Sequence, residues 1–261
     1  MNEKVISVEN LEKSYGRKKA LKGINFQVNS GEIYGLIGPN GSGKTTTLNI
    51  LSGVMDDFFG TVRVRGLDVR SQKNKVKKIV GYVPESPNLY ESLTPIEFFN
   101  MVGSIRDIDQ EQMRKGLDYF VDAFELREYM NQYIGSLSFG TKQKVSLISS
   151  FIHDPKVLIL DESMNGLDPK TAKILRGILF KYKDRGKTII FSSHVLQIAE
   201  IICDRVGIIG NGEIIAEGTI DELRERSHED NLEDIFLKLT KGEEEVSTVL
   251  RALENGMGDD H

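Results

Sequence analysis

The run GPNGSGKT, Gly38 to Thr45, limits more than any other feature what this chain can fold into. It follows the apolar run IYGLI and opens the helical pattern Lys44–Leu51. That order asks for a buried strand, a tight glycine-rich turn and a helix start. The combination suits an anion. Glycines let backbone N–H groups curl around phosphate oxygens, and the helix N-terminus adds positive potential. Lys44 supplies a full charge, and the Thr45 hydroxyl can hold Mg²⁺. The flanking strand and helix argue against a plain glycine turn. Gly38, Pro39, Asn40, Gly41, Ser42, Gly43, Lys44, Thr45 and Thr46 are therefore the candidate phosphate-binding residues.

Around this loop the pattern is that of an α/β fold. Val5–Leu11 and Ile24–Val28 alternate apolar and polar residues, which predicts antiparallel strands near the N-terminus. Ile33–Ile37, Ile79–Val83, Val157–Leu160, Thr188–Phe191 and Val206–Ile209 are short apolar runs, as strands buried on both faces require. Helical patterns at Phe139–Ile152, Pro169–Tyr182 and Val195–Ile202 alternate with them, which implies a parallel sheet covered on both sides. Residues 95–135 lack buried-strand runs, and Pro95 after Thr94 suits a first helical turn. We read an inserted helical subdomain over about 85–150, a main domain carrying the phosphate loop over 1–225, and a helical extension with an acidic tail over 226–261. After Gly218, IDELRER and LEDIFLKL are short amphipathic helices, and the acidic end is expected to fray.

Composition narrows the functional classes. The 34 Lys and Arg against 39 Asp and Glu leave a net charge of −5, which argues against a chain whose main work is neutralising nucleic-acid phosphates. No nucleic-acid partner is expected. The basic run 70–78, RSQKNKVKK, reads as a solvated helix face. Cys203 lies among apolar residues, as a buried small hydrophobe would, and the four histidines show no zinc-ligand spacing. No stretch approaches the roughly 18 apolar residues of a membrane span, and the first residues carry no secretory signal, so the expected location is cytosolic or peripheral.

A second constellation is VLILDE, Val157 to Glu162, which puts two carboxylates just past a buried strand, where open parallel sheets bind ligands. Asp161 has two readings, a cap for the next helix or a partner of Mg²⁺. Glu162 beside a phosphate loop can act as a general base on water. LSFGTKQK, Leu137 to Lys144, precedes this strand; NGLDP, Asn165 to Pro169, follows it; SSH, Ser192 to His194, ends the next apolar run. Taken singly, Ser138 could cap a helix, His194 could pack on one, and Tyr15 could be a strand-end aromatic.

Taken together, in this order and spacing, these runs resemble the ABC-type ATPases over about residues 4–220, most closely the ATP-binding subunits of ABC-2-type exporters. The resemblance implies a P-loop NTPase core with a mixed or parallel sheet, an N-terminal antiparallel β-subdomain and the inserted helical subdomain. It implies ATP and Mg²⁺ as cofactors, Tyr15 stacked on adenine, Asp161 and Thr45 at the metal, Glu162 as base and His194 at the γ-phosphate. It also implies a head-to-tail pair, homodimer or heterodimer, in which Ser138 and Gly140 of one chain close over ATP held by the other, with Asp168 at the contact. The work so powered would be transport, in the export direction, through a separate transmembrane permease, with the chain on the inner face of the cell membrane. A soluble ABC-type ATPase acting on ribosomes or DNA is the alternative. Two departures stand out. Glu85 occupies the loop position after GYVP where relatives have Gln, adding a carboxylate near the metal, and Phe139 and Thr141 replace a Gly and the Gln of the signature LSGGQ.

Overall fold

Two β-sheets divide the chain, and the order in which their strands leave the sequence fixes where its chemistry can sit. The computed structural model describes residues 3–240, apart from the side chains at 110, 112 and 115. β1 (Lys4–Tyr15) and β2 (Lys18–Asn29) form a long antiparallel hairpin turning at Gly16, whose φ of 57° suits a residue without a side chain. β3 (Ile33–Ile37) follows and is buried along its whole length, then α1 (Lys44–Leu51). β4 (Phe59–Val64) and β5 (Leu67–Asp68) complete the first sheet, in the order β2-β1-β4-β5.

α2 (Lys73–Ile79) leads into β6 (Val80–Val83). The helical stretch contains α3 (Pro95–Ile105), α4 (Gln110–Ala123) and α5 (Phe139–Phe151). The remainder alternates: β7 (Val157–Asp161), α6 (Pro169–Asp184), β8 (Thr188–Ser193), α7 (Leu196–Ile202), β9 (Arg205–Gly210) and β10 (Glu213–Thr219). α8 (Ile220–Ser227) and α9 (Leu232–Thr240) close the described chain. The second sheet runs β10-β9-β3-β8-β7-β6, parallel except for the β9–β10 hairpin.

Strands buried on both faces feed two cores. In β7, Val157 and Ile159 face the core shared with the first sheet and α1, while Leu158 and Leu160 face the core built by α3 to α6. Each such side chain contributes about 1.5–3 kcal/mol by leaving water. α3 starts at a capping box: Glu97 N–H donates to the Thr94 hydroxyl, the Thr94 N–H donates to the Glu97 carboxylate, and Pro95 fills the first turn. α2 buries only Val76 and leaves its lysines in solvent, as the charge run suggested. Cys203 packs where a Cβ on Gly35 would stand 2.8 Å from its sulfur, and burial pushes its thiol pKa up.

The structure also differs from the sequence reading in places. Ile79 ends α2 and does not begin a strand, because β6 is only as long as its pairing with β7. β4, β5 and β10 are strands that the apolar pattern does not predict; they are edge or near-edge strands whose half-exposed residues give no clear apolar run. The acidic tail lies outside the described residues.

Candidate functional site

The C-terminal ends of β3, β7 and β8 lie side by side; the chain leaving β3 and β7 lines a cleft of about 410 Å³, and β8 braces it from behind. From β3 the chain turns directly into the glycine loop. Gly38 admits no side chain, since a Cβ there would stand 2.1 Å from the Ile209 carbonyl oxygen. Gly43, at the N-cap of α1 with φ 113°, leaves the first helical N–H groups without a side-chain cap, open to an anion. Lys44 is folded back into the loop, donating from Nζ to the carbonyls of Gly38 (2.7 Å) and Pro39 (3.2 Å).

β7 and β8 run parallel with Asp161 opposite Ser192, and that register builds the acidic half. The Ser192 hydroxyl donates to Asp161 Oδ1 at 2.6 Å and accepts from the Glu162 N–H at 3.0 Å, tying the Asp161 carboxylate and the Glu162 backbone to β8. Asp161 is fully buried. Desolvation raises its pKa, while the Ser192 and Thr45 hydroxyls oppose the rise. Its Oδ2 has no partner among the described residues. Glu162 adopts φ 47°, a left-handed conformation that costs a non-glycine residue about 1–3 kcal/mol. Its buried carboxylate meets three groups: Oε2 lies 2.8 Å from His194 Nδ1 and accepts from the His194 N–H at 3.3 Å, while Oε1 lies 3.6 Å from Lys44 Nζ.

Tyr15, half exposed at the end of β1, closes the other side. Its hydroxyl is 3.5 Å from Thr46 Oγ1, and the Lys13 ammonium lies 5.2 Å from its ring centre. Glu85 is exposed on the loop after β6 and lines the same cleft as Tyr15, Lys44, Thr45 and Glu162. The structure thus brings Tyr15, the loop 38–46, Glu85, Asp161, Glu162 and His194 together. Ser138 and Gly140 do not line this cleft. Ser138 is the N-cap of α5, accepting from the Thr141 N–H at 3.2 Å and sharing a 2.8 Å hydrogen bond with the Thr141 hydroxyl. When Thr141 is the donor in that pair, the Ser138 proton is free for another acceptor. Asp168 caps α6 through Thr171, and these bonds hold its carboxyl down at about 2.

In the sequence Ser192 is only one residue of SSH; its bridging role follows from strand register, which no local pattern displays. Gln143, fully buried in α5 and donating to the Ser163 carbonyl at 3.1 Å, is a second residue the sequence did not single out. A larger cavity, about 980 Å³, lies between α3 and α4 and contains none of the candidate residues.

A glycine loop feeding a helix, with a buried carboxylate pair and a histidine at its mouth, defines a nucleoside-triphosphate hydrolase. Comparison with known proteins makes this specific. Residues 21–165 match the ABC transporter family. An uncharacterized ABC transporter ATP-binding protein of Methanocaldococcus jannaschii is 40% identical over 218 residues, 84% of this chain and 79% of the relative. A solved ATP-binding subunit of an ABC transporter superposes with a TM-score of 0.86 at 30% identity, covering 90% of this chain and 99% of that one. A dimeric ATP-binding cassette in a post-hydrolysis state, bound to ADP and Pi, superposes with a TM-score of 0.75 at 26% identity over 82% of this chain and 98% of that one. The chain belongs to the ABC transporter family, as an ATP-binding, ATP-hydrolysing subunit with the P-loop NTPase α/β fold.

Proposed function

We propose that this chain is the cytoplasmic motor of an exporter, bound peripherally to the inner face of the cell membrane and driving a separate transmembrane permease. The observation that carries its catalytic part is the placement of Glu162, strained, buried and set between Lys44 and His194. Export and the separate permease rest on the resemblance to ABC-2-type exporters; among the described residues no helix is long and apolar enough to cross a membrane. The working unit is a pair of ATP-binding subunits. Ser138 and Gly140 stand apart from the cleft, so a second chain must supply that face, and a related cassette has been solved as a dimer. The ATP-binding domain spans 1–225, with the helical subdomain about 85–150 inside it.

The triphosphate lies along loop 38–46, with its adenine on the Tyr15 ring, where such stacking is worth about 1–3 kcal/mol. Lys44 moves its charge from Glu162 and the loop carbonyls to the phosphates. Water attacks the γ-phosphorus and gives its proton to the Glu162 carboxylate, while the bond from phosphorus to the bridging oxygen breaks and its electron pair leaves with ADP. His194, held by Glu162 through Nδ1, keeps its other ring nitrogen for the γ-phosphate. Mg²⁺ fits this donor set. Asp161 offers a buried, unpartnered Oδ2, and the Thr45 hydroxyl and Glu85 carboxylate are at hand. Among the described residues no group of three or more His, Cys, Asp or Glu could hold a metal alone, so the remaining ligands would be phosphate oxygens and water, the usual surroundings of Mg²⁺. When bound, the ion would offset the negative charge of the phosphates.

The replacement Glu162→Gln tests the assignment. It should keep ATP binding and slow hydrolysis about 10²–10⁴-fold, the scale of a lost general base. An unchanged turnover would remove Glu162 from that role. In detergent extracts the chain should co-purify with a membrane protein of several spans; recovery with ribosomes or DNA alone would overturn the exporter reading.

A further inference from the structure

The first two turns of α5 lie along the loop that runs from Glu162 to Asp168, and the contact is built from side chains. Gly166 has φ +75°, and a Cβ there would stand 2.5 and 2.6 Å from Cδ1 and Cε1 of Phe139, so the ring rests on the bare face of that glycine. A Cβ on Gly140 would stand 2.7 Å from the Gly166 carbonyl oxygen. Gln143 donates to the Ser163 carbonyl at 3.1 Å, and Lys144 reaches Asp168 at 3.5 Å. The loop is also closed on itself, because the Asn165 N–H donates to the Glu162 carbonyl at 3.1 Å.

From this contact we infer that Phe139, standing where the family signature has glycine, is a positioning residue: its ring fixes Gly166 and, through the turn closed at Glu162, sets the orientation of that carboxylate. A glycine in the place of Phe139 could not do this, having no ring to lay on Gly166. Any side chain at Gly166 would collide with the ring and also strain a left-handed backbone. Residues 139 and 166 therefore form one device joining Ser138, which does not line this chain's own cleft, to Glu162, which does. The kinetic part rests on the reading of Glu162 as base; the structural part does not.

A double-mutant cycle with an exchange measurement tests it. In nucleotide-free protein, Phe139→Ala should speed backbone hydrogen exchange at Asn165 to Leu167 by about 10-fold or more, and Phe139→Leu should restore much of the protection. Turnover in Phe139→Ala should fall about 10-fold with KM for ATP within about 2-fold, as for a misplaced group that acts on the chemical step. Gly166→Ala should be the more damaging change, and adding Phe139→Ala to it should recover about 5-fold of the loss, because the colliding ring is gone. Unchanged exchange in Phe139→Ala, or losses that simply multiply in the double variant, would overturn the inference. Wild-type turnover in Glu162→Gln would instead sink the base assignment and leave the exchange result standing.

Discussion

Glu162 shows how much of this site is decided one side chain at a time. Its left-handed backbone, its Ser192 anchor and its contacts to Lys44 and His194 converge on a single carboxylate orientation. Glu85 is one of the two departures from the family pattern that the sequence resemblance carries, a carboxylate in place of an amide. A hard cation binds a charged oxygen donor more tightly than an amide oxygen. Glu85→Gln should therefore raise the Mg²⁺ concentration needed for half-maximal ATP hydrolysis several-fold, with adenine selectivity unchanged; superimposable Mg²⁺ titrations would contradict this. The phosphate loop and VLILDE were legible in the sequence because their function is local. Glycines, a lysine and a strand-end acid each announce themselves within a few residues. Ser192 and Gln143 were not, because a hydroxyl bridging the Asp161 carboxylate and the Glu162 N–H, and an amide holding a loop, exist only once β7, β8 and α5 have packed.

Secondary-structure elements carry these side chains, and α5 carries the most. Its first turn holds Ser138 and Phe139, and just past its far end His153 lies close to the carbonyl of Val80 in β6, at 3.1 Å from Nε2. Burial, with Arg106 nearby, pushes the His153 pKa down from 6.5 to about 4. The unfolded chain binds this proton near 6.5 and the folded chain only near 4, so between those values the unfolded state holds more protons. Stability from this group is complete above the upper value and is lost as pH falls toward the lower one. A gap of 2.5 units corresponds to about 3 kcal/mol. Urea unfolding at pH 7 and pH 4.5 should show the wild type losing about 2–3 kcal/mol more than His153→Gln; equal losses would contradict the account. Elements buried on both faces, such as β3 and β7, were legible as unbroken apolar runs. β5, with two residues, and β10, half exposed at the sheet edge, carry too little apolar signal to separate them from loops.

At the scale of the whole molecule, the proposed function makes the cleft half a binding site. One wall is the glycine loop, Glu162 and Tyr15; Ser138 and Gly140, at the start of α5, do not line it. A triphosphate bound to the first wall still presents γ-phosphate charge to solvent, and a second chain offering N–H and O–H donors would be attracted to it. Cleavage followed by departure of the phosphate would remove that charge and the attraction with it, which would convert chemistry into separation of two subunits. Sedimentation velocity of the Glu162→Gln protein tests this most directly. With Mg²⁺ and ATP the species should shift from monomer to dimer, and Ser138→Arg should return it to monomer while ATP still binds. A monomer that fully encloses its trapped ATP would contradict the account.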